Sequence, residues 1–289
     1  MYKKQGGWVY QKWQDFVNVC ILQIHLEYVI MTKIIAVANQ KGGVGKTTSS
    51  VNMAASLAVM KRKVLIVDMD PQGNATTGVG LNKHSPPVLL SDVLLGDANV
   101  EDALQTIPNT NIMALGGGPD LTIAELEMMQ MAEREYRLHK ALASIKDNFD
   151  YILIDCPPSL NMLTVNALVA ANGVLIPMQC EYYALEGLSA LVGSIETIRQ
   201  NSNPKLEIMG LLRTMYDPRS NLAKDVSRQL SEYFGEKLYN TSIPRNIRLA
   251  EAPSHGLPVL MYDKRSHGAL AYLALAAEMI RKEASREAA

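Results

Sequence analysis

Residues 39–48 of the chain read NQKGGVGKTT. This stretch nearly matches the phosphate-binding loop G-x-x-x-x-G-K-[ST], and residues 45–47 supply its final GKT. Gln40 stands where the pattern has its first glycine, and a second lysine, Lys41, follows directly. A loop of this kind joins a strand to a helix, so the stretch predicts an α/β fold and a nucleotide site together.

The glycine-rich loop is suited to phosphate because glycines expose backbone N–H groups and because the N-terminus of the following helix is electropositive. Lys46 adds a positive charge toward the terminal phosphates, and the Thr47 hydroxyl is placed to bind Mg²⁺. The residues predicted on these grounds to bind a nucleotide are Gly42, Gly43, Val44, Gly45, Lys46, Thr47 and Thr48.

Along the rest of the chain, apolar runs rich in Ile, Val and Leu alternate with helical patterns. The runs lack the period-2 alternation of half-exposed strands, which indicates strands covered on both faces. Strands are predicted at 34–38, 64–68, 112–115, 151–155, 174–177 and 208–212, and helices at 47–60, 123–146, 162–171, 186–201, 221–234 and 269–282. This order predicts a single P-loop domain over 31–289, with a mostly parallel twisted sheet and helices on both faces.

The composition is that of an ordinary globular protein, with 48% hydrophobic and 20% charged residues. Lys and Arg number 28 against 29 Asp and Glu, so the net charge of −1 gives no global sign of nucleic-acid binding. The cysteines Cys20, Cys156 and Cys180 show no metal-site spacing, which favours reduced thiols in the cytoplasm. No apolar run reaches the ~18 residues that a membrane span needs.

The first 30 residues stand apart from this pattern. They contain both tryptophans, and they lack the long apolar stretch and small-residue cleavage site of a signal peptide. Met31 then begins a sequence that runs straight into the first strand. We interpret residues 1–30 as an N-terminal appendage, either disordered or translated from an upstream start codon chosen in error. A partner-binding or membrane-touching helix is the alternative.

Three aspartates follow apolar strands at the edge where parallel sheets bind ligands. Asp68 and Asp70 lie at the end of the strand at 64–68, and Asp155 ends the strand at 151–155. Carboxylates in these places suit a hydrated Mg²⁺ ion and an oriented water molecule. A lone aspartate at a strand end is usually a cap, but three of them beside a phosphate loop favour metal binding and catalysis. The choice between Asp68 and Asp70 stays open on these grounds.

The motifs KGGVGKTT (41–48), VDMDPQGNAT (67–76) and IDCPPS (154–159) resemble those of the ParA/Soj ATPases of chromosome and plasmid partition. These ATPases form a deviant Walker A group with MinD and the nitrogenase iron protein. The resemblance continues through RTMYDPRSNLAKDV (213–226) and IPRNIRLAEAPSHGLPVLMYD (243–263), so it covers the chain from Met31 to the C-terminal helix. The last two motifs point to the ParA/Soj branch itself.

The resemblance implies ATP and Mg²⁺ as ligands and gives roles to individual residues. Lys41 matches the signature lysine, which reaches across a nucleotide-sandwich homodimer to the phosphates of the other subunit, and Gly42 matches the glycine whose small size lets the two loops meet. Lys46 and Thr47 match the lysine and the metal-binding hydroxyl of the loop. The two remaining matches are Asp70, which positions the attacking water next to the metal, and Asp155, the Walker B carboxylate.

DNA binding is the next expectation. Residues 205–265 hold ten Lys or Arg against seven Asp or Glu, a local excess of three positive charges. Charge alone favours an ordinary solvated surface, but the resemblance places non-specific binding of double-stranded DNA on arginines that match Arg219 and Arg248. It also makes Pro244, with the loop around 252–253, the segment that faces adenine.

The resemblance further implies a homodimer on ATP binding, a ParB-type centromere-binding partner that stimulates hydrolysis, and a cytoplasmic, nucleoid-associated location without stable membrane association. A MinD-like membrane-cycling ATPase is the alternative. It needs a basic amphipathic C-terminal helix with bulky apolar residues, and the ending MIRKEASREAA is a poor match. An iron–sulfur ATPase like the nitrogenase iron protein is less favoured still, because Cys156 and Cys180 do not follow its pattern.

Overall fold

The computed structural model describes residues 31–84, 87–182 and 184–287. Within these residues seven strands form one sheet, in the spatial order β3-β4-β2-β5-β1-β6-β7. Only the β3–β4 pairing is antiparallel. The strands are β1 Lys33–Val37, β2 Val64–Asp68, β3 Leu104–Thr106, β4 Ile112–Leu115, β5 Tyr151–Asp155, β6 Gly173–Met178 and β7 Glu207–Arg213.

The central strands are covered on both faces, as their continuous apolar sequences predict. Every residue of β2, β5 and β6 is buried. Because successive side chains of a strand point to opposite faces, burial of a whole strand requires helices on both sides of the sheet. The predicted α/β class and mostly parallel sheet are therefore confirmed.

Helices separate the successive strands of the described residues, except that β4 follows β3 without a helix between them. They are α1 Lys46–Val59, α2 Asn74–Gly78, α3 Leu90–Leu95, α4 Val100–Ala103, α5 Leu121–Met128, α6 Arg137–Ala143, α7 Met162–Ala170, α8 Ala184–Asn201, α9 Asn221–Phe234, α10 Ile247–Glu251, α11 Val259–Tyr262 and α12 His267–Glu287. Short 3₁₀ turns lie at Arg134–Tyr136, Lys146–Asn148, Gly235–Lys237 and Ala252–His255. No described helix is long and apolar enough to cross a membrane.

The predicted helix at 123–146 is wrong as a continuous element. The chain leaves the helix after Met128 and resumes it at Arg137, with Glu133 in the left-handed region at φ 51°. Arg134 Nη1 donates to the carbonyl of Met129 at 2.7 Å, and this contact caps the end of α5. The Asn166 side chain then fixes the restart, since it accepts from Leu138 N at 3.0 Å.

The pairing register of the sheet places the carboxyl ends of β1, β5 and β2 side by side. Asp155 at the end of β5 pairs with Asp68 of β2 on one side and with Val37 of β1 on the other. The aspartates and the loop after β1 therefore share one edge of the sheet, as predicted. Residues 1–30, interpreted above as an appendage, lie outside the described residues, so that interpretation stays a prediction.

Candidate functional site

The phosphate loop lies between β1 and α1 and is held in shape from the neighbouring strands. Gly43 and Gly45 have φ values of 72° and 88°, which residues with side chains rarely adopt. The Thr214 hydroxyl, just after β7, donates to the carbonyl of Val44 at 2.7 Å, and Gln179 Nε2, just after β6, donates to Gly43 O at 3.2 Å. Both contacts leave the loop N–H groups free to face a phosphate.

Lys46, the first residue of α1, is buried within this loop. Its ammonium group lies 3.3 Å from the carbonyl oxygen of Lys41. Burial lowers the pKa of Lys46, and the neighbouring carboxylates of Asp155 and Asp70, with the Cys156 thiol, act in the opposite direction. A buried ammonium group with an incomplete set of acceptors is suited to a phosphate oxygen.

Lys41 has a different environment although it belongs to the same loop. Its backbone N–H donates to Asn39 Oδ1 at 3.0 Å, and Asn39 Nδ2 donates to Pro177 O on β6 at 2.8 Å. Its ammonium group forms an ion pair with Glu181, Nζ to Oε2 2.5 Å, beyond the end of β6. The two side chains are 43% and 52% exposed, so within one chain this lysine lies at the surface.

Asp155 is buried at the end of β5, behind the phosphate loop. Its Oδ1 accepts from the Ser50 hydroxyl at 2.8 Å, whereas its Oδ2 is buried without a hydrogen-bond partner in the described structure. Burial raises the pKa of Asp155, nearby Asp68 raises it further, and the Thr47 and Ser50 hydroxyls lower it. A buried carboxylate oxygen without a partner, next to a threonine hydroxyl, fits the oxygen ligands of a hydrated Mg²⁺ ion.

Asp68 and Asp70 differ clearly in their contacts. Asp68 Oδ2 accepts from Thr76 twice, from N at 2.8 Å and from Oγ1 at 2.7 Å, and Oδ1 accepts from Asp70 N at 3.2 Å. The Asp70 carboxylate accepts one hydrogen bond, from Gln72 N at 3.0 Å. Both carboxylate oxygens of Asp68 therefore accept hydrogen bonds that hold the turn after β2. The Asp70 carboxylate still has positions at which it can accept a hydrogen bond from a ligand at the site.

A cavity of about 530 Å³ opens beside the loop, within the size range of small-molecule sites. Pro244 lines it, whereas residues 252–255 form a 3₁₀ turn and are absent from its lining. The adenine-facing role of Pro244 and of the 252–253 loop stays a prediction. The lining consists of Gly45, Thr48, Thr214, Met215, Ile243, Pro244, Arg245, Asn246, Ile247, Leu249, Ala250 and Tyr272.

Known proteins share this sequence over nearly its whole length. A family model described as an AAA domain matches residues 32–208. The chain is 48% identical over 258 residues to the chromosome partitioning protein ParA of Caulobacter vibrioides, covering 89% of this chain and 97% of the relative. It is 47% identical over 256 residues to the chromosome-partitioning ATPase Soj of Treponema pallidum, covering 89% and 100%. The chain belongs to the ParA/Soj family of P-loop ATPases.

A solved structure extends the comparison to three dimensions. Cobyrinic acid a,c-diamide synthase of Mycobacterium smegmatis, crystallised with ADP and magnesium, matches with a TM-score of 0.77 and 37% identity, over 88% of this chain and 96% of that one. Membership of the ParA/Soj family confirms the predicted class of enzyme, an ATPase, and agrees with ATP and Mg²⁺ as its ligands.

The arginines that the ParA/Soj resemblance assigned to DNA lie on adjoining segments, Arg219 in the loop before α9 and Arg248 in the short helix α10. Tyr216 N, in the loop that leads to Arg219, donates to Ile243 O at 3.0 Å, in the segment that leads to Arg248. Both arginines are paired with carboxylates. Arg219 makes a two-pronged contact with Asp217 at 3.0 and 2.8 Å, and Arg248 lies 2.7 Å from Glu251. The assignment of both arginines to DNA stays a prediction, and their pairing with Asp217 and Glu251 was not predicted.

Several residues of the site were missed by sequence reasoning. Ser50 could have been found, because it lies one helical turn after Lys46 and so shares the face of α1 that meets β5. Thr214, Gln179 and Glu181 carry no comparable signal, since each reaches the loop from more than 130 residues away in sequence.

Proposed function

We propose that this chain is a partition ATPase that dimerises around ATP, binds non-specific double-stranded DNA as the dimer, and returns to monomers when a ParB-type partner stimulates hydrolysis. The proposal rests on the different environments of the two lysines in the phosphate loop. Lys46 is buried in its own loop, whereas Lys41 is exposed and paired with Glu181. A lysine in that position is available to a second copy.

Each residue then has a chemical role. The loop N–H groups and Lys46 bind the phosphates, and Thr47 with Asp155 would hold Mg²⁺ through oxygen. When bound, Mg²⁺ supplies neutralisation of the phosphate charge. Asp70 orients the attacking water, which needs an acceptor that the fold has not already used. Lys41 from the other subunit completes the charge compensation, in the manner of an arginine finger.

DNA binding is assigned to the surface that carries Arg219 and Arg248. The Arg219 side chain is 89% exposed, which suits contact with a phosphate backbone. Because such contacts release counterions, we expect affinity to fall steeply with salt and to be insensitive to DNA sequence. A cytoplasmic protein held on the nucleoid follows from this activity.

The packing of the C-terminal helix argues against the membrane-cycling alternative. α12 packs against α1, and its apolar side chains Leu275, Ala276 and Met279 are buried in the domain. A helix whose apolar side is already used inside the protein has no such side left for a lipid interface.

The proposal is tested with wild type, Lys41→Ala and Asp70→Ala. Sedimentation velocity should show an ATP-dependent wild-type dimer and fluorescence anisotropy should show that only this dimer binds a random DNA duplex. Lys41→Ala should bind nucleotide as a monomer and fail in both assays, while Asp70→Ala should form a long-lived dimer. Normal dimerisation and hydrolysis by Lys41→Ala would contradict the role in trans.

DNA binding is tested separately with the Arg219→Glu, Arg248→Glu double variant. We expect it to lose DNA and to keep ATP-dependent dimerisation. A double variant that bound DNA as wild type does would remove this surface from the proposal without affecting the ATPase cycle.

A further inference from the structure

The helix α5 carries large apolar residues on its outer side as well as on its inner side. Leu121, Ala124 and Met128 are buried against the domain. On the other side, Ile123 and Leu126 and the following Met129 are 60%, 68% and 43% exposed. Helices at the surface of a globular protein usually carry polar residues on the outer side, and apolar patches of this kind mark interaction sites.

The same helix is fixed to the segment that follows Asp155. Both oxygens of the Glu125 carboxylate are used, since Oε2 accepts from Asn161 Nδ2 at 2.9 Å and Oε1 accepts from Met162 N at 3.0 Å. Leu160, the residue before Asn161, is a further apolar side chain, 44% exposed. We call Ile123, Leu126, Met129 and Leu160 the α5 surface.

The α5 surface lies at the nucleotide edge of the sheet. The loop that connects β4 to α5 runs directly against the strand end at Asp68, because a Cβ atom added at Gly117 would clash with the Asp68 carbonyl oxygen. The segment that carries Leu160 starts from Asp155 on the neighbouring strand. Apolar side chains thus flank the same edge from which the exposed Lys41 projects.

We propose that a second copy of this chain covers the α5 surface in the ATP-bound state. The inference rests on the proposed function, in which Lys41 of one copy must enter the site of the other. Charged contacts to phosphate cannot alone supply the ~800 Å² per partner of a stable interface, and interfaces between identical chains have the more apolar cores. In a two-fold dimer one apolar surface is buried twice, once on each copy.

The test compares Leu126→Glu with two matched controls. Leu126→Met keeps an apolar side chain of similar volume, and Leu222→Glu makes the same charge change at another exposed leucine, at the start of α9. Dimerisation is measured by sedimentation velocity with ATPγS and Mg²⁺, and nucleotide binding by the monomer with a fluorescent ATP analogue at low protein concentration. Ile123→Glu serves as a second variant of the surface.

We expect Leu126→Glu and Ile123→Glu to weaken dimerisation at least tenfold, with nucleotide affinity of the monomer within twofold of wild type and both controls dimerising normally. Wild-type dimerisation by both surface variants would overturn the inference and leave the proposed function intact. Normal dimerisation with lost stimulation by the ParB-type partner would also overturn it, since the partner would then be the occupant. A wild type that stays monomeric with ATPγS would overturn the proposed function and this inference together.

Discussion

Lys41 Nζ lies 2.5 Å from Oε2 of Glu181, so the second lysine of the phosphate loop is paired within its own chain. Lys46 Nζ instead lies 3.3 Å from the carbonyl oxygen of Lys41. The ammonium groups of the two lysines therefore lie in different places: that of Lys46 lies inside the phosphate loop, and that of Lys41 points away from it. For Lys41 to reach the phosphates of another subunit, its pairing with Glu181 must be exchanged for them.

Replacement of Glu181 by glutamine is expected to favour the dimer. Exposed ion pairs contribute about 0.2–1 kcal/mol, so the loss of this one should strengthen ATP-dependent dimerisation by up to about fivefold. Sedimentation velocity over a protein concentration series measures the change. Glu186→Gln on α8 makes the same change of charge nearby and should have no effect. Weaker dimerisation of Glu181→Gln would mean that the carboxylate acts with Lys41 in the dimer and does not compete with it.

Substitution of Asp68 should lower the stability of the protein, whereas substitution of Asp70 should slow ATP hydrolysis. Asp68→Ala leaves Thr76 and the Asp70 N–H without their buried acceptor, and should lower the free energy of unfolding by about 1–3 kcal/mol. Asp70→Ala should leave stability nearly unchanged and slow single-turnover hydrolysis by about 100-fold. Urea unfolding and a rapid-quench ATPase assay measure the two effects. The opposite pattern would assign the catalytic role to Asp68.

The sheet could be predicted from sequence because its signal is local. All six predicted strands are present, each within one residue of its predicted ends, since continuous apolar runs leave few other places for a buried strand. The edge strand Leu104–Thr106 was missed because three residues, one of them apolar, carry no pattern. The break between α5 and α6 was missed because Asn166 and Arg134 impose it through tertiary contacts, without glycine or proline in the segment.

The site, like the sheet, could be predicted where its signal is local in sequence and not where it depends on tertiary contacts. Gly43, Gly45 and Lys46 could be placed from spacing alone, because the loop chemistry is contained in ten consecutive residues. The partners of the charged side chains could not be placed. Glu181 meets Lys41 from 140 residues away, and the three hydrogen bonds that set Asp68 apart from Asp70 depend on how the turn to Thr76 closes.

The carboxylate of Glu278 on α12 should make stability depend on pH. It accepts from Asn240 N at 2.7 Å and from Thr241 N at 2.9 Å. Burial acts to raise its pKa, but the bonds from Thr241 and Asn240 outweigh burial, so the pKa lies below its ordinary value of 4.5. A carboxyl whose pKa is lowered by folding stabilises the protein above pH 4.5 and loses that contribution as the pH falls.

Glu278→Gln should therefore cost about 1–2 kcal/mol of unfolding free energy at pH 7 and clearly less at pH 3.5. Urea unfolding at the two pH values measures the difference. Glu232→Gln, on an exposed part of α9, is the control and should stay within about 0.5 kcal/mol of wild type at both. A cost for Glu278→Gln that did not depend on pH would show that its charge contributes nothing.

Asp217 should limit the affinity for DNA, because it holds the guanidinium of Arg219 at 2.8 Å and that contact lowers the Asp217 pKa to about 2. DNA phosphates must displace this carboxylate, so Asp217→Asn should bind a random duplex several-fold more tightly in the ATP state, whereas Arg219→Ala should bind more weakly.

Anisotropy titrations across salt concentrations distinguish the causes: Arg219→Ala should reduce the slope of log K against log salt by about 0.9 per lost phosphate contact. Asp225→Asn, an exposed acid on α9 paired with Arg228, is the control. Unchanged DNA binding by both Asp217→Asn and Arg219→Ala would place the phosphate contacts elsewhere.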